Sequence, residues 1–156
     1  MATTNKWTDV GAVSLVIAGD ASSPTLKNLS SNGYILSNEV DPGATSLDQY
    51  SNWRLRCRGA TTMTKGVVAK CWYILDVGDG GAYDDTSGTN TPDRAPDFVF
   101  WGYAVSTQQV LQSTPRRVER PAAPFKVLFQ NTSGVALTNT NDENQLHEST
   151  FNDSQA

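Results

Sequence analysis

Residues 124–137 constrain this chain more than any other stretch. In Pro124-Phe125-Lys126-Val127-Leu128-Phe129-Gln130, the side chains of Phe125, Val127 and Phe129 fall on one face and those of Lys126 and Gln130 on the other. That is the period-two pattern of a strand with one buried side. Asn131-Thr132-Ser133-Gly134 is a loop signal, and Val135-Ala136-Leu137 resumes the apolar run. The stretch predicts a β protein and holds no catalytic chemistry.

The rest of the chain repeats the theme. Residues 1–11 read as a polar arm, and 12–18 as a first strand. Ser23-Pro24 fits the cap and first residue of a short helical turn through Leu26 and Leu29. Asn32-Gly33 is a turn, residues 34–40 are a second strand, and Asp41-Pro42-Gly43 breaks it. Residues 52–58 alternate, with Trp53, Leu55 and Cys57 on one face and Arg54, Arg56 and Arg58 on the other. With the long run 67–77 they read as a hairpin. There Ala69, Cys71, Tyr73 and Leu75 share one face, and Lys70, Trp72 and Ile74 the opposite one.

Residues 78–96 are rich in Gly, Asp, Thr and Pro, the composition of a long interaction loop. Further strands are predicted at 98–106, 125–131 and 145–151. Another at 110–118 is interrupted by Pro115, which marks an edge or irregular strand. About eight extended segments with almost no helix predict an all-β, jelly-roll-like antiparallel sandwich. A barrel or another Greek-key wiring stays open at this point. The division is an arm at 1–11, a sandwich domain at 12–138, and a C-terminal strand and tail at 139–156.

The chain has 156 residues, the size of one domain. Twelve basic residues stand against 16 acidic ones, for a net charge of −4. That balance argues against general nucleic-acid binding, which needs clustered Lys and Arg. It suits a protein that stays dispersed until it meets a partner. The start has no basic segment followed by an apolar one, so synthesis in the cytoplasm is expected. No apolar run is long enough to span a bilayer, and no membrane partner is expected. Cys57 and Cys71 read as two small buried hydrophobes, with a disulfide open if the mature protein ends up outside a cell. Their spacing fits no zinc site.

No cofactor or metal is expected, and no enzyme. His147 is the single histidine and lies in a polar region. There is no Gly-x-Ser-x-Gly elbow and no phosphate-binding glycine loop. Asp76, Asp79, Asp84 and Asp85 surround Gly78, Gly80 and Gly81, a pattern of calcium-binding loops but also of plain solvated turns. Of Trp7, Trp53, Trp72 and Trp101, Trp53 reads as core and Trp72 as the better candidate for an exposed, sugar-stacking ring. The contact candidates are basic: Arg54, Arg56 and Arg58 on one strand, and Arg116, Arg117 and Arg120 before Pro121. Arginines side by side on an open sheet face fit an acidic protein surface through bidentate pairs, or are simply solvated charge.

Residues 124–137, followed by Thr150-Phe151-Asn152-Asp153, resemble small structural proteins of tailed bacteriophages. So do Asn52-Trp53-Arg54-Leu55-Arg56, Cys71-Trp72-Tyr73-Ile74-Leu75-Asp76, residues 80–85, and Leu26-Lys27-Asn28-Leu29-Ser30-Ser31-Asn32-Gly33-Tyr34. The group looks like capsid decoration, or cement, proteins with a jelly-roll-like sandwich. The resemblance implies a virion protein on the outside of an assembled icosahedral shell. It implies the major capsid protein as partner and a dimer or trimer as the bound form. The alternative is a receptor- or carbohydrate-binding module of a tail or head fibre. The long loop at 78–96 and the charged segment at 116–120 depart from the group's pattern.

Overall fold

Eleven strands form among the residues that the computed structural model describes: 5–7, 14–19, 23–42, 49–76, 90–103, 111–112, 116–151 and 153–155. They are β1 (Asn5–Trp7), β2 (Ser14–Ile17), β3 (Tyr34–Leu36), β4 (Tyr50–Cys57), β5 (Gly66–Leu75) and β6 (Phe98–Gly102). After them come β7 (Leu111–Gln112), β8 (Arg116–Glu119), β9 (Phe125–Asn131), β10 (Gln145–Phe151) and β11 (Asp153–Gln155). The predicted strands at 125–131 and 145–151 have these same bounds.

Two sheets face each other. The first runs β2-β10-β4, and the free side of β4 is shared by β7 and β8. The second runs β3-β9-β5-β6. The register explains the shared edge: Gln112 pairs with Arg56, while Arg116 pairs with Trp53. Four residue steps on one strand thus match three on the other, so the register shifts by one residue between β7 and β8. Counted as one interrupted strand, β7 and β8 complete eight positions, four per sheet.

The pairing is nested. β5 pairs β6, β4 pairs β8, β3 pairs β9 and β2 pairs β10, all antiparallel. One long hairpin has been folded over on itself, which is the wiring of a jelly roll. A fifth pairing continues it, because β1 pairs β11 with Asn5 opposite Gln155. The polar arm and the tail therefore meet each other.

The core fills the space between the sheets. From the first sheet Trp53, Leu55, Cys57 and Leu146 point in; from the second come Ala69, Cys71, Tyr73, Phe125, Val127 and Phe129. Trp53 stacks on Phe98 at 5.1 Å between centroids, and Tyr73 meets Phe125 edge-on at 5.0 Å. Each such side chain contributes about 1.5–3 kcal/mol by leaving water. Cys57 and Cys71 are buried and unbonded.

Three expectations are corrected. β4 and β5 do not form a hairpin; they lie in opposite sheets. Residues 58–65 connect the two sheets, mostly at the surface, with Gly59 bridged to Leu137 and Met63 buried. Alternation had shown which face of each strand is buried, but it does not say whether two buried faces lie side by side or face to face. The helical turn after Ser23 is absent as well. Thr25 bridges Ala18, and the Leu26 N–H donates to the Ala18 carbonyl at 3.0 Å, so strand-like pairing takes the groups a helix would need.

Trp72 is the third. It is buried, not exposed, in a small cluster with Ile74 and Leu128 on the outer face of the second sheet. Its indole N–H donates to the Arg94 carbonyl at 3.1 Å. The Arg94 guanidinium pairs with Asp97 at 2.7 Å and also donates to the Tyr73 carbonyl. The end of the long loop thus covers a face that alternation assigned to solvent.

Beyond β9, Asn131 organises the neighbouring loops. Its buried amide nitrogen donates to the carbonyls of Leu29, Ser30 and Val135, and its oxygen accepts from the N–H and hydroxyl of Ser133. Gly134 follows at φ 82°, a left-handed conformation that favours glycine, and an added Cβ would strike the Thr64 hydroxyl.

Candidate interaction surface

The outer face of the first sheet brings together three of the predicted contact residues, Arg54, Arg56 and Arg117. Alternation along β4 turns Ser51, Trp53, Leu55 and Cys57 inward, and so turns Tyr50, Asn52, Arg54 and Arg56 outward. Arg54 and Arg56 are exposed and two residues apart, about 7 Å along the strand. Neither makes an ion pair with another described residue.

Neighbouring strands complete the face. His147 of β10 lies opposite Arg54 on one side and opposite Leu15 of β2 on the other, while Gln145 lies opposite Arg56. Leu15 is half exposed. The imidazole Nε2 of His147 sits 3.3 Å from the Gln145 amide oxygen. Partial burial, then the charges of Arg54 and Arg56, hold the His147 pKa below its ordinary value.

Arg117 adds a third cation. Its guanidinium lies 3.7 Å from the centroid of the Tyr50 ring and 5.8 Å from that of Phe151. The two rings stack on each other at 5.6 Å, at an angle of 28°. Aromatic support of this kind holds a guanidinium in place.

The other three candidates separate from this group. Arg58 pairs with Glu143 at 2.6 Å and is drawn toward the 138–144 loop. Desolvation is the largest single effect on the Glu143 carboxyl and raises its pKa, but the bonds from Arg58 and the Thr138 hydroxyl, with the Arg58 charge, together outweigh it and hold the pKa below its usual value. Arg120 is buried. Its Nε donates to Glu148 Oε1 at 3.0 Å, with side-chain exposures of 6% and 2%. The Ser51 hydroxyl donates to the same oxygen at 2.5 Å. Arg120 is therefore an internal counter-ion and no contact residue. The backbone of Arg116 pairs with Trp53, and its side chain lies outside the described residues.

The remaining motifs are placed as follows. Asp76 follows β5, its N–H donating to the Pro124 carbonyl at 3.1 Å; Asp79, Asp84 and Asp85 lie outside the described residues. No cluster of three or more metal-ligating side chains occurs among the described residues. Trp53 is core, Trp7 is described as backbone of β1 only, and Trp101 is 56% exposed. Tyr103, two residues on, is 75% exposed, and the Lys65 ammonium lies 6.0 Å from its ring centroid.

Sequence reasoning missed Tyr50, Phe151 and His147 as parts of this face. The signal was the pairing of β4 with β10, which sets an aromatic residue at one end of each strand opposite the other. The sequence reading began the β4 strand at residue 52 and so left Tyr50 out.

No family model matches the chain, and no match was found among curated proteins or solved structures.

Proposed function

We propose that this protein is a capsid decoration protein. In this reading it binds the outer surface of an assembled icosahedral shell and bridges neighbouring major capsid subunits, as a dimer or trimer. It is made in the host cytoplasm, ends on the virion, and carries out no reaction. Its stabilising effect is mass action: a protein that binds the assembled shell and not the free subunits adds its binding free energy to assembly.

One observation carries the reading. A chain of net charge −4 concentrates Arg54, Arg56, Arg117 and His147 on one face of a rigid sheet, with Arg54 and Arg56 unpaired among the described residues. Such a face complements an acidic protein surface and steers the encounter. The jelly-roll wiring and the resemblance of residues 52–56, 71–76 and 124–137 to cement proteins agree with it.

Co-sedimentation with purified empty shells tests it. The wild-type protein is expected to pellet with matured shells at micromolar concentration, and R54E/R56E is expected to stay in the supernatant. A wild-type protein that stays in the supernatant ends the decoration reading.

Exposed Trp101 and Tyr103 favour a second reading, a carbohydrate-binding module of a fibre. Glycan binding abolished by Trp101→Ala, with shells left unbound, would select it.

A further inference from the structure

The two sheets end on the same side in strands of different origin, β6 for the second sheet and β8 for the first. Between them runs a groove of about 650 Å³, lined by Tyr73 and residues 96–99 on one wall and by Arg117, Val118 and Glu119 on the other. Its volume is that of sites that enclose a ligand.

The walls have a directional chemistry. The Arg120 N–H donates to the Gln49 carbonyl at 2.9 Å. Antiparallel alternation then turns the backbone groups of Val118 toward β4 and those of Glu119 toward the groove. On the other wall, the Asp76 N–H donates to the Pro124 carbonyl at 3.1 Å, which assigns Ile74, Trp72 and Lys70 to β9. Cys71 and Ala69 therefore face β6, where they meet Phe98 and Phe100, and the peptide groups of Val99 turn to the free edge. Val99 and Glu119 thus present outward N–H and C=O groups from opposite walls.

We propose that this groove receives an extended peptide segment of a partner chain, which pairs with a strand edge. An extended backbone is the ligand whose donors and acceptors repeat at the spacing of a strand edge. The floor sets the side chains. Phe98 and Val118 are inward-facing and apolar, so the segment places an aliphatic residue between them. The rim sets the charge. The Asp97 carboxylate is already engaged by Arg94 and by the Tyr73 N–H at 2.7 Å. Arg117 also lines the groove, but its guanidinium is turned over the Tyr50 ring of β4, whereas Glu119 is exposed and has no ion pair among the described residues, so the segment carries Lys or Arg beside its aliphatic residue. The groove adjoins the Arg54–Arg56 face along β8, where Arg117 and Glu119 border both, and takes a ligand of opposite charge; it does not depend on the decoration reading.

The test uses the full chain and an array of immobilised decapeptides that alternate aliphatic residues with Lys or Arg. A second array carries the same sequences with alternate backbone amides N-methylated. The expected result is binding to the first array, weakened by about tenfold or more on N-methylation and by Glu119→Lys. Hydrogen exchange at the Val99 and Glu119 amides is expected to slow in the bound state. Absence of binding on the first array, equal binding to both arrays, or protection confined to other residues overturns the proposal. Glu119→Lys changes an exposed side chain, and an unchanged melting temperature confirms that the variant is folded.

Discussion

The indole N–H of Trp53 donates to the hydroxyl of Tyr73 at 2.8 Å, and this bond crosses from one sheet to the other. Both residues are buried, the tryptophan completely. Burial pushes the Tyr73 pKa well up, and the nearby carboxylates of Glu148 and Asp97 add to it, while the Trp53 bond acts the other way. The hydroxyl therefore stays protonated. Tyr73→Phe would leave the Trp53 N–H buried without an acceptor. The expected loss is about 1–3 kcal/mol in chemical denaturation. An unchanged midpoint would show that the bond adds nothing.

Arg120 and Glu148 form the buried ion pair of the molecule's first sheet. Removing one partner strands the other charge in the core. Arg120→Met is expected to destabilise the fold by about 3–5 kcal/mol. The charge-free double variant R120M/E148L is expected to recover most of that loss, because the cost comes from the unpaired charge rather than from the missing pair. Thermal melts of the three proteins decide it.

Cys57 and Cys71 should be chemically silent in the native protein. Burial pushes the Cys57 thiol up to about 12 and raises Cys71 well above its usual value, with Asp97 adding to the latter. Thiolate is the reactive form, so almost none is present at about pH 8. Alkylation followed by mass spectrometry is expected to label neither cysteine until denaturant unfolds the chain. Native labelling at either position would refute the packing described here.

His147 gives the fold a pH dependence of known sign. Its folded-state pKa lies below the ordinary 6.5, first through burial and then through Arg54 and Arg56. The unfolded chain therefore takes up the proton first as pH falls. Stability from this group is complete above about pH 6.5 and is lost as pH drops through that value toward the folded-state pKa. Melting temperatures between about pH 7.5 and 5.5 should fall more steeply for wild type than for His147→Gln. In R54Q/R56Q the imidazole, the single one in the chain, is expected to titrate at higher pH by NMR. Docking of an acidic surface on the two arginines is expected to move it the same way.

The fold was readable where burial is one-sided. β10 alternates over residues 145–149, and its bounds follow from the pattern; β9 keeps its expected bounds although Leu128 and Gln130 on its outer face are buried as well. Sheet assignment was not readable, because Trp53 and Tyr73 look the same from the sequence whether their strands are neighbours or face each other. Trp72 was misplaced because the segment that covers it, through the Arg94 carbonyl, is remote and polar. Asn131 looked like turn punctuation, yet its side chain ties Leu29, Ser30, Ser133 and Val135 together; an amide's partners leave no periodic trace. Among the arginines, composition could not separate Arg54, which faces solvent, from Arg120, which is neutralised by a glutamate 28 residues further on.

The pairing of Asn5 with Gln155 has a practical consequence. A peptide tag placed before β1 and one placed after β11 would leave the molecule side by side. Two halves of a split reporter attached there would reassemble within one folded copy, without a partner, and their signal would report folding of the whole rolled hairpin. A short linker across the same two residues would make a circular permutant, opened at the exposed Thr61 and Thr62.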